Sequence, residues 1–173
     1  YFIYPYQPSR LLSSPFGRLN QLQRWRDLIR LGRLSRRIAA EIDRRRYNVV
    51  FVHPCMWTQA PQVMRYLNTP VTYYLQEAPR HLYEPNYIQT NAGWREKADR
   101  FDPLIFLYRS TARNLDWKAA RRSQLVLVNS HFMKKVVVEL YNIQPEISHL
   151  GIDTSIFCPM PNIERQEFLL SVG

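Results

Sequence analysis

A chain of 173 residues, 46% apolar and 13% aromatic, is long enough for one autonomous core and too hydrophobic to stay disordered. It has no run of about 20 uncharged apolar residues, which argues against a membrane-spanning helix, and its opening YFIYPYQPSR lacks the pattern of a secretory leader. The net charge of +10 implies an anionic neighbour, and it is concentrated: residues 1–46 hold eleven arginines against Asp27, Glu41 and Asp43.

Taken in order, the first ten residues read like a strand entered in mid-protein, so the true N-terminus is expected to lie further upstream. From Gln21 to Arg46, Leu22, Trp25 and Ile29, then Leu34, Ile38 and Ile42, recur at three- and four-residue intervals. That spacing predicts one amphipathic helix, or a pair joined at Gly32, with the arginines mostly opposite the apolar side. Such a charge run is either a solvated face or an anion- or membrane-facing helix presenting Arg24, Arg30, Arg33 and Arg37. NVVFVHP (48–54), PVTYYLQ (70–76) and SQLVLVNS (123–130) predict short buried strands. Helical spacing separates them: residues 58–67 carry Val63, Met64 and Leu67, and residues 102–122 offer Leu104, Phe106, Leu107, Leu115 and Trp117 for burial. Ser130 is placed to cap a following helix on which Phe132, Val136 and Leu140 share a face and which stops near Asn142. PEISHLGID then supplies another short strand, with Gly151 permitting a tight turn. This alternation predicts an α/β, Rossmann-like, mostly parallel sheet with helices on both faces.

Pro159-Met160-Pro161-Asn162 marks a boundary, and FLLSVG beyond it reads as the first strand of another domain. The expected division is therefore 1–158, an incomplete Rossmann-like domain, and 159–173, a linker with the start of a second. Cys55 and Cys158 match neither a disulfide framework nor a zinc spacing and read as free thiols in a reducing, cytoplasmic setting. His81, His131 and His149 have no ligand spacing, and no metal or cofactor is expected.

Open α/β sheets bind ligands at the carboxyl ends of their strands. His53, Gln76, Asn129 and Ser130 stand at three such ends and are the candidate ligand contacts. Ser130 has no neighbouring base to make it a nucleophile, and nothing fixes a separation for Glu77 and Glu84 as a glycosidase pair.

Two stretches resemble a known family. VLVNSHFMKKVVVELYNIQPEISHLGIDTSIFCP is similar to the end of the N-terminal domain of retaining glycosyltransferases of family 4, which have the GT-B fold. There an Asn-Ser-x-Phe element, a helix ending near a Tyr and a strand lead into Gly-Ile-Asp-x-x-x-Phe-x-Pro. Here these are Asn129, Ser130, Phe132, Tyr141, Gly151, Ile152, Asp153, Phe157 and Pro159. PVTYYLQEAPRHLYEP is similar to the family's Tyr-Tyr-x-His-Glu-x-Pro-Arg element, with Tyr73, Tyr74, Glu77, Pro79, Arg80, Tyr83 and Glu84 in step. Gln76 stands where many relatives carry His; it can hydrogen-bond a sugar hydroxyl but does not titrate near neutral pH. The family's N-terminal Gly-Gly loop has no counterpart among the five glycines. The resemblance implies the acceptor-side half of an enzyme that moves a sugar from a nucleotide-sugar, bound mainly by a second domain, to a saccharide or lipid-linked acceptor. It implies substrate contacts at His53, Gln76, Glu77, Arg80, Asn129 and Ser130 and no catalytic residue within residues 1–173; separately, the two thiols point to the cytoplasm and the arginine run makes an anionic membrane surface a candidate neighbour. The competing reading is a basic α/β binding module for anionic membrane or nucleic acid. The basic stretch lacks an RRM, KH or zinc-finger signature, so nucleic acid is not the expected partner.

Overall fold

The computed structural model describes residues 2–12, 19–83, 102–158 and Glu167, with backbone alone for Arg80 and His81. The expected boundary at 159–162, the strand 168–173 and Glu84 lie outside these residues. The elements are α1 (Asn20–Arg44), β1 (Val50–Val52), a 3₁₀ turn (Gln62–Arg65), β2 (Val71–Leu75), α2 (Arg80–Tyr83), α3 (Pro103–Ala120), β3 (Leu125–Val128), α4 (His131–Tyr141) and β4 (Glu146–Ile147).

The four strands form one all-parallel sheet in the order β1-β2-β3-β4, so the chain is α/β with a Rossmann-like arrangement. Val52, Val71, Tyr73, Leu75, Val126 and Val128 point to one face. There they join Ala39 of α1, Met64 of the 3₁₀ turn, Ala119 and Ala120 of α3, and Met133, Val137 and Tyr141 of α4 in a single core. Helices were expected on both faces; among the described residues α1, α3 and α4 share one. Right-handed crossovers between strands that neighbour each other in sequence keep to one side. Phe51 and Tyr74 occupy the opposite face, with ring centroids 6.2 Å apart.

α1 is one continuous helix through Gly32. Gly32 faces the 3₁₀ turn so closely that a Cβ there would lie 3.0 Å from the Gln62 Oε1. The buried stripe is Leu28, Gly32, Ser35 and Ala39, mostly small residues at i, i+4, i+7 and i+11 that let α1 approach the 3₁₀ turn and α3. This corrects the expected apolar side in the first half of the helix, where Leu22 and Ile29 are 54% and 55% exposed; Leu34, Ile38 and Ile42 are half-buried, and Ile42 packs against the core. Residues 2–12, whose first part was expected to be a strand, form none and are tied along α1 instead. The Tyr6 hydroxyl donates to the Asp27 carbonyl (3.0 Å), Ser9 donates its N–H (2.9 Å) and hydroxyl (2.7 Å) to the Asp27 carboxylate, and the Leu12 N–H donates to the Asn20 side chain (2.6 Å).

The helix expected over 58–67 is a single 3₁₀ turn. Pro61 enters it from an extended conformation, and Asn68, Thr69 and Pro70 follow within a turn. Those residues are held instead by Asp43, whose carboxylate accepts from the Asn68 and Thr69 N–H groups (3.1 and 3.0 Å) and the Thr69 hydroxyl (2.8 Å). α3 is capped by Asp102, which accepts from the Leu104 N–H at 2.9 Å, with Pro103 in the first turn. Its buried residues are Ala112, Asp116, Ala119 and Ala120, while Phe106 is 72% exposed and Leu104, Leu107 and Trp117 are also exposed. On α4 the buried stripe is Met133, Val137 and Tyr141, one residue past the expected Phe132, Val136 and Leu140. The Ser130 cap is as expected, accepting from the Met133 N–H at 3.2 Å, and the helix closes on Asn142 in the left-handed region, φ 52°. Gly151 has no positive φ and open space where a Cβ would stand, so the expected glycine turn is absent. The reversal comes two residues later, where Asp153 accepts from the Ser155 N–H (2.9 Å) and the Phe157 N–H bonds the Asp153 carbonyl (2.9 Å).

Candidate functional site

The parallel register decides which strand-end residues meet. Leu75 pairs with Val128, and Val128 with Ile147, so the next residues, Gln76, Asn129 and Ser148, stand level at the carboxyl edge of the sheet. β1 ends earlier: Val52 pairs with Tyr73, which puts His53 level with Tyr74. The His53 ring accordingly lies against Phe51 and Tyr74, centroids 5.0 and 6.0 Å away, on the face opposite the core. The structure thus brings Gln76 and Asn129 together and leaves His53 a step behind them, edge-on between aromatic rings.

The chain after β1 folds into a tight loop in which Cys55 and Gln59 exchange backbone bonds (2.8 and 3.0 Å), with Gln59 at φ 54°. The Gln59 side-chain amide donates to the Glu77 carbonyl, fastening this loop to the one after β2. Gln76 and Glu77 are exposed, with side chains towards solvent. Arg80 opens the short helix α2, and its side chain lies outside the described residues. Asn129 and Ser130 are half-buried; the Ser130 hydroxyl donates to the Asn129 side chain at 3.2 Å while capping α4. His149 places Nδ1 3.1 Å from the Asn129 carbonyl, and its ring lies 6.1 Å from that of His131.

Beneath this edge lies a buried polar hub. Asp116 of α3 is fully buried and accepts from the hydroxyls of Tyr83 and Tyr141, each at 2.7 Å, and from the Ala60 N–H at 2.9 Å. One carboxylate therefore joins the loop after β1, α2, α3 and α4. Burial, and then the Asp116 charge, push the hydroxyls of Tyr83 and Tyr141 well above the ordinary tyrosine value, so both stay protonated donors. Tyr73 is raised in the same way, and its buried hydroxyl has no hydrogen-bond partner among the described residues.

Sequence reading missed Asp116, Tyr74, Gln59 and the proximity of His131 to His149. The available signal for Asp116 was its position: four and three residues before Ala120 and Ala119, on the stripe that packs inward. Cys55 and Cys158 are free thiols. The four arginines expected to face an anion are all exposed, but they do not share a face: Arg24 stands over the Tyr108 ring (6.0 Å), on the far side of α1 from Arg33 and Arg37. Arg30 has Asp27 at 3.7 Å.

At the carboxyl edge the chain thus offers two neutral amides, Gln76 and Asn129, each just past a strand, with the exposed Glu77 next to Gln76 and the exposed Phe51 ring close by. Such a set suits a polyhydroxylated ligand. No family model, no curated protein and no solved structure matches this chain.

Proposed function

We propose that the chain is the acceptor-side part of a glycosyltransferase that moves a sugar from a nucleotide-sugar to a hydroxyl of a saccharide or lipid-linked acceptor, with retention of configuration. The observation that carries this reading is the level placement of Gln76 and Asn129 at the carboxyl edge of an all-parallel sheet. Both belong to the two stretches that resemble family 4 enzymes. Transfer requires the donor's anomeric carbon to be held beside an acceptor hydroxyl with water kept out. On this reading Gln76 and Asn129 bind and orient hydroxyls, His53 and Glu77 flank them, and Ser130 keeps its structural role while fixing the Asn129 amide. The leaving diphosphate is neutralised by groups outside residues 1–173.

The test is release of nucleoside diphosphate by the full-length protein from a panel of nucleotide-sugars offered with saccharide and polyprenyl-phosphate-sugar acceptors. Release is expected with at least one pair, and Gln76→Ala and Asn129→Ala should each lower kcat/KM by at least tenfold. No release and no donor binding across the panel would overturn the reading.

A further inference from the structure

The first half of the α1 side that was expected to pack inward is open. Leu22 and Ile29 are more than half exposed, and Trp25 beside them is half-buried. They lead into a cleft of about 330 Å³ between α1, the 3₁₀ turn and α3, whose other wall includes Thr111 and Leu115. Helical spacing carries that wall onward through Leu107 and Leu104, 50% and 36% exposed, so a second helix extends the apolar surface.

Among the described residues, the charged side chains that line this stripe and cleft are arginines. Between Asn20 and Ala40, α1 carries six arginines and one carboxylate, Asp27, which is buried and occupied by Ser9. Arg26, Arg33 and Arg36 border the apolar stripe, and Arg65 faces them across the cleft. None of these four is in an ion pair among the described residues, where the acidic partners on α1 serve Arg30, Arg44 and Arg45. Arg36 and Arg65 both lie over the Tyr66 ring, at 5.0 and 5.4 Å, which presents their guanidinium groups together at the rim.

A solvated charge run does not need exposed Leu, Ile and Trp at its centre, whereas an anionic partner that also takes up apolar side chains fits both features of this surface. Apolar side chains bordered by arginines with a half-buried tryptophan between them match the interface of an anionic bilayer. There the stripe enters the acyl boundary and the guanidinium groups remain among the phosphates. No described helix is long and apolar enough to cross a membrane, so the contact is peripheral. We infer that the Leu22-Trp25-Ile29 face of α1, with the adjoining α3 wall, docks the protein on an anionic phospholipid surface. This stands apart from the glycosyltransferase reading and does not depend on it.

The experiment is flotation of the full-length protein with vesicles of phosphatidylglycerol and phosphatidylcholine (3:7) and with pure phosphatidylcholine, alongside the variants Ile29→Glu, Leu107→Glu and Arg33→Gln/Arg36→Gln. Ile29 and Leu107 are at least half exposed, and near-ultraviolet circular dichroism checks that each variant keeps its fold. The expected result is binding to the anionic vesicles only, weakened at least tenfold by either glutamate substitution, and made weaker and less salt-dependent by the double glutamine variant. Absence of binding at low salt would overturn the inference. So would binding that both glutamate variants retain, or full competition by inorganic phosphate at millimolar concentration, which would mark a phosphate pocket. Duplex DNA binding without vesicle binding would also overturn it, assigning the basic surface to nucleic acid.

Discussion

Asp116 has no exposure to solvent, and an ionisable group in that position persists only when its charge is met by donors. Two tyrosine hydroxyls and a backbone N–H meet it. Replacing it with Ala strands all three at once, and Asp116→Ala is expected to destabilise the fold by about 3 kcal/mol or more in urea unfolding. Asp116→Asn keeps one acceptor and should fall between. The opposite sign is expected at Tyr73, whose hydroxyl is buried without a partner among the described residues. Tyr73→Phe removes only that hydroxyl and should be neutral or stabilising by up to about 1 kcal/mol; a loss of more than about 1 kcal/mol would mean that the hydroxyl is satisfied. Asp43 gives a pH dependence. Burial raises its pKa, but the hydrogen bonds from Thr69 and Asn68 outweigh this and hold it below the ordinary value of about 4. A carboxylate depressed in the folded state stabilises it fully above its unfolded pKa and progressively less as pH falls through the folded one. Native protein should therefore lose stability below about pH 4, and Asp43→Asn should flatten that part of the urea midpoint profile.

Capping and contact geometry were legible to different degrees among the helices. Ser130 ahead of an apolar run announced the start of α4, because the hydroxyl satisfies an early N–H by local chemistry alone. Ser130→Ala should cost about 1 kcal/mol, and it should do so without altering the Asn129 backbone. Which stripe of each helix turns inward was read less well. On α1 and α3 the largest apolar residues pointed to one side, whereas the buried side is set by small residues that permit close approach: Gly32 and Ala39 on α1, Ala112 and Ala119 on α3; on α4 the buried stripe is the large Met133, Val137 and Tyr141, one residue past the expected one. Gly32 is the sharpest instance. Its sequence context suggested a weak joint, but it stands where α1 meets the 3₁₀ turn, with the Gln62 amide oxygen in the place of a side chain.

For the molecule as a whole, β2 and β3 are paired on both sides, whereas β1 and β4 are each paired on one side among the described residues. Amide exchange should be slowest at Tyr73–Leu75 and Val126–Val128 and faster in β4, with its two residues. Equal protection across all four strands would contradict this order. The sequence by itself determined the α/β class, the four strand positions, the cap at Ser130 and the concentration of arginine near the N-terminus. Each rests on chemistry within a few residues: alternation, a hydroxyl before a helix, or simple composition. Only the tertiary structure decided the rest. Parallel register made Gln76 and Asn129 neighbours and drew His53 aside, a fact held in the pairing of residues some fifty apart. The Asp116 hub likewise joins residues distant in sequence. The outward turn of Leu22 and Ile29 followed from competition between two possible helix faces, which close packing against the 3₁₀ turn resolved in favour of the smaller side chains.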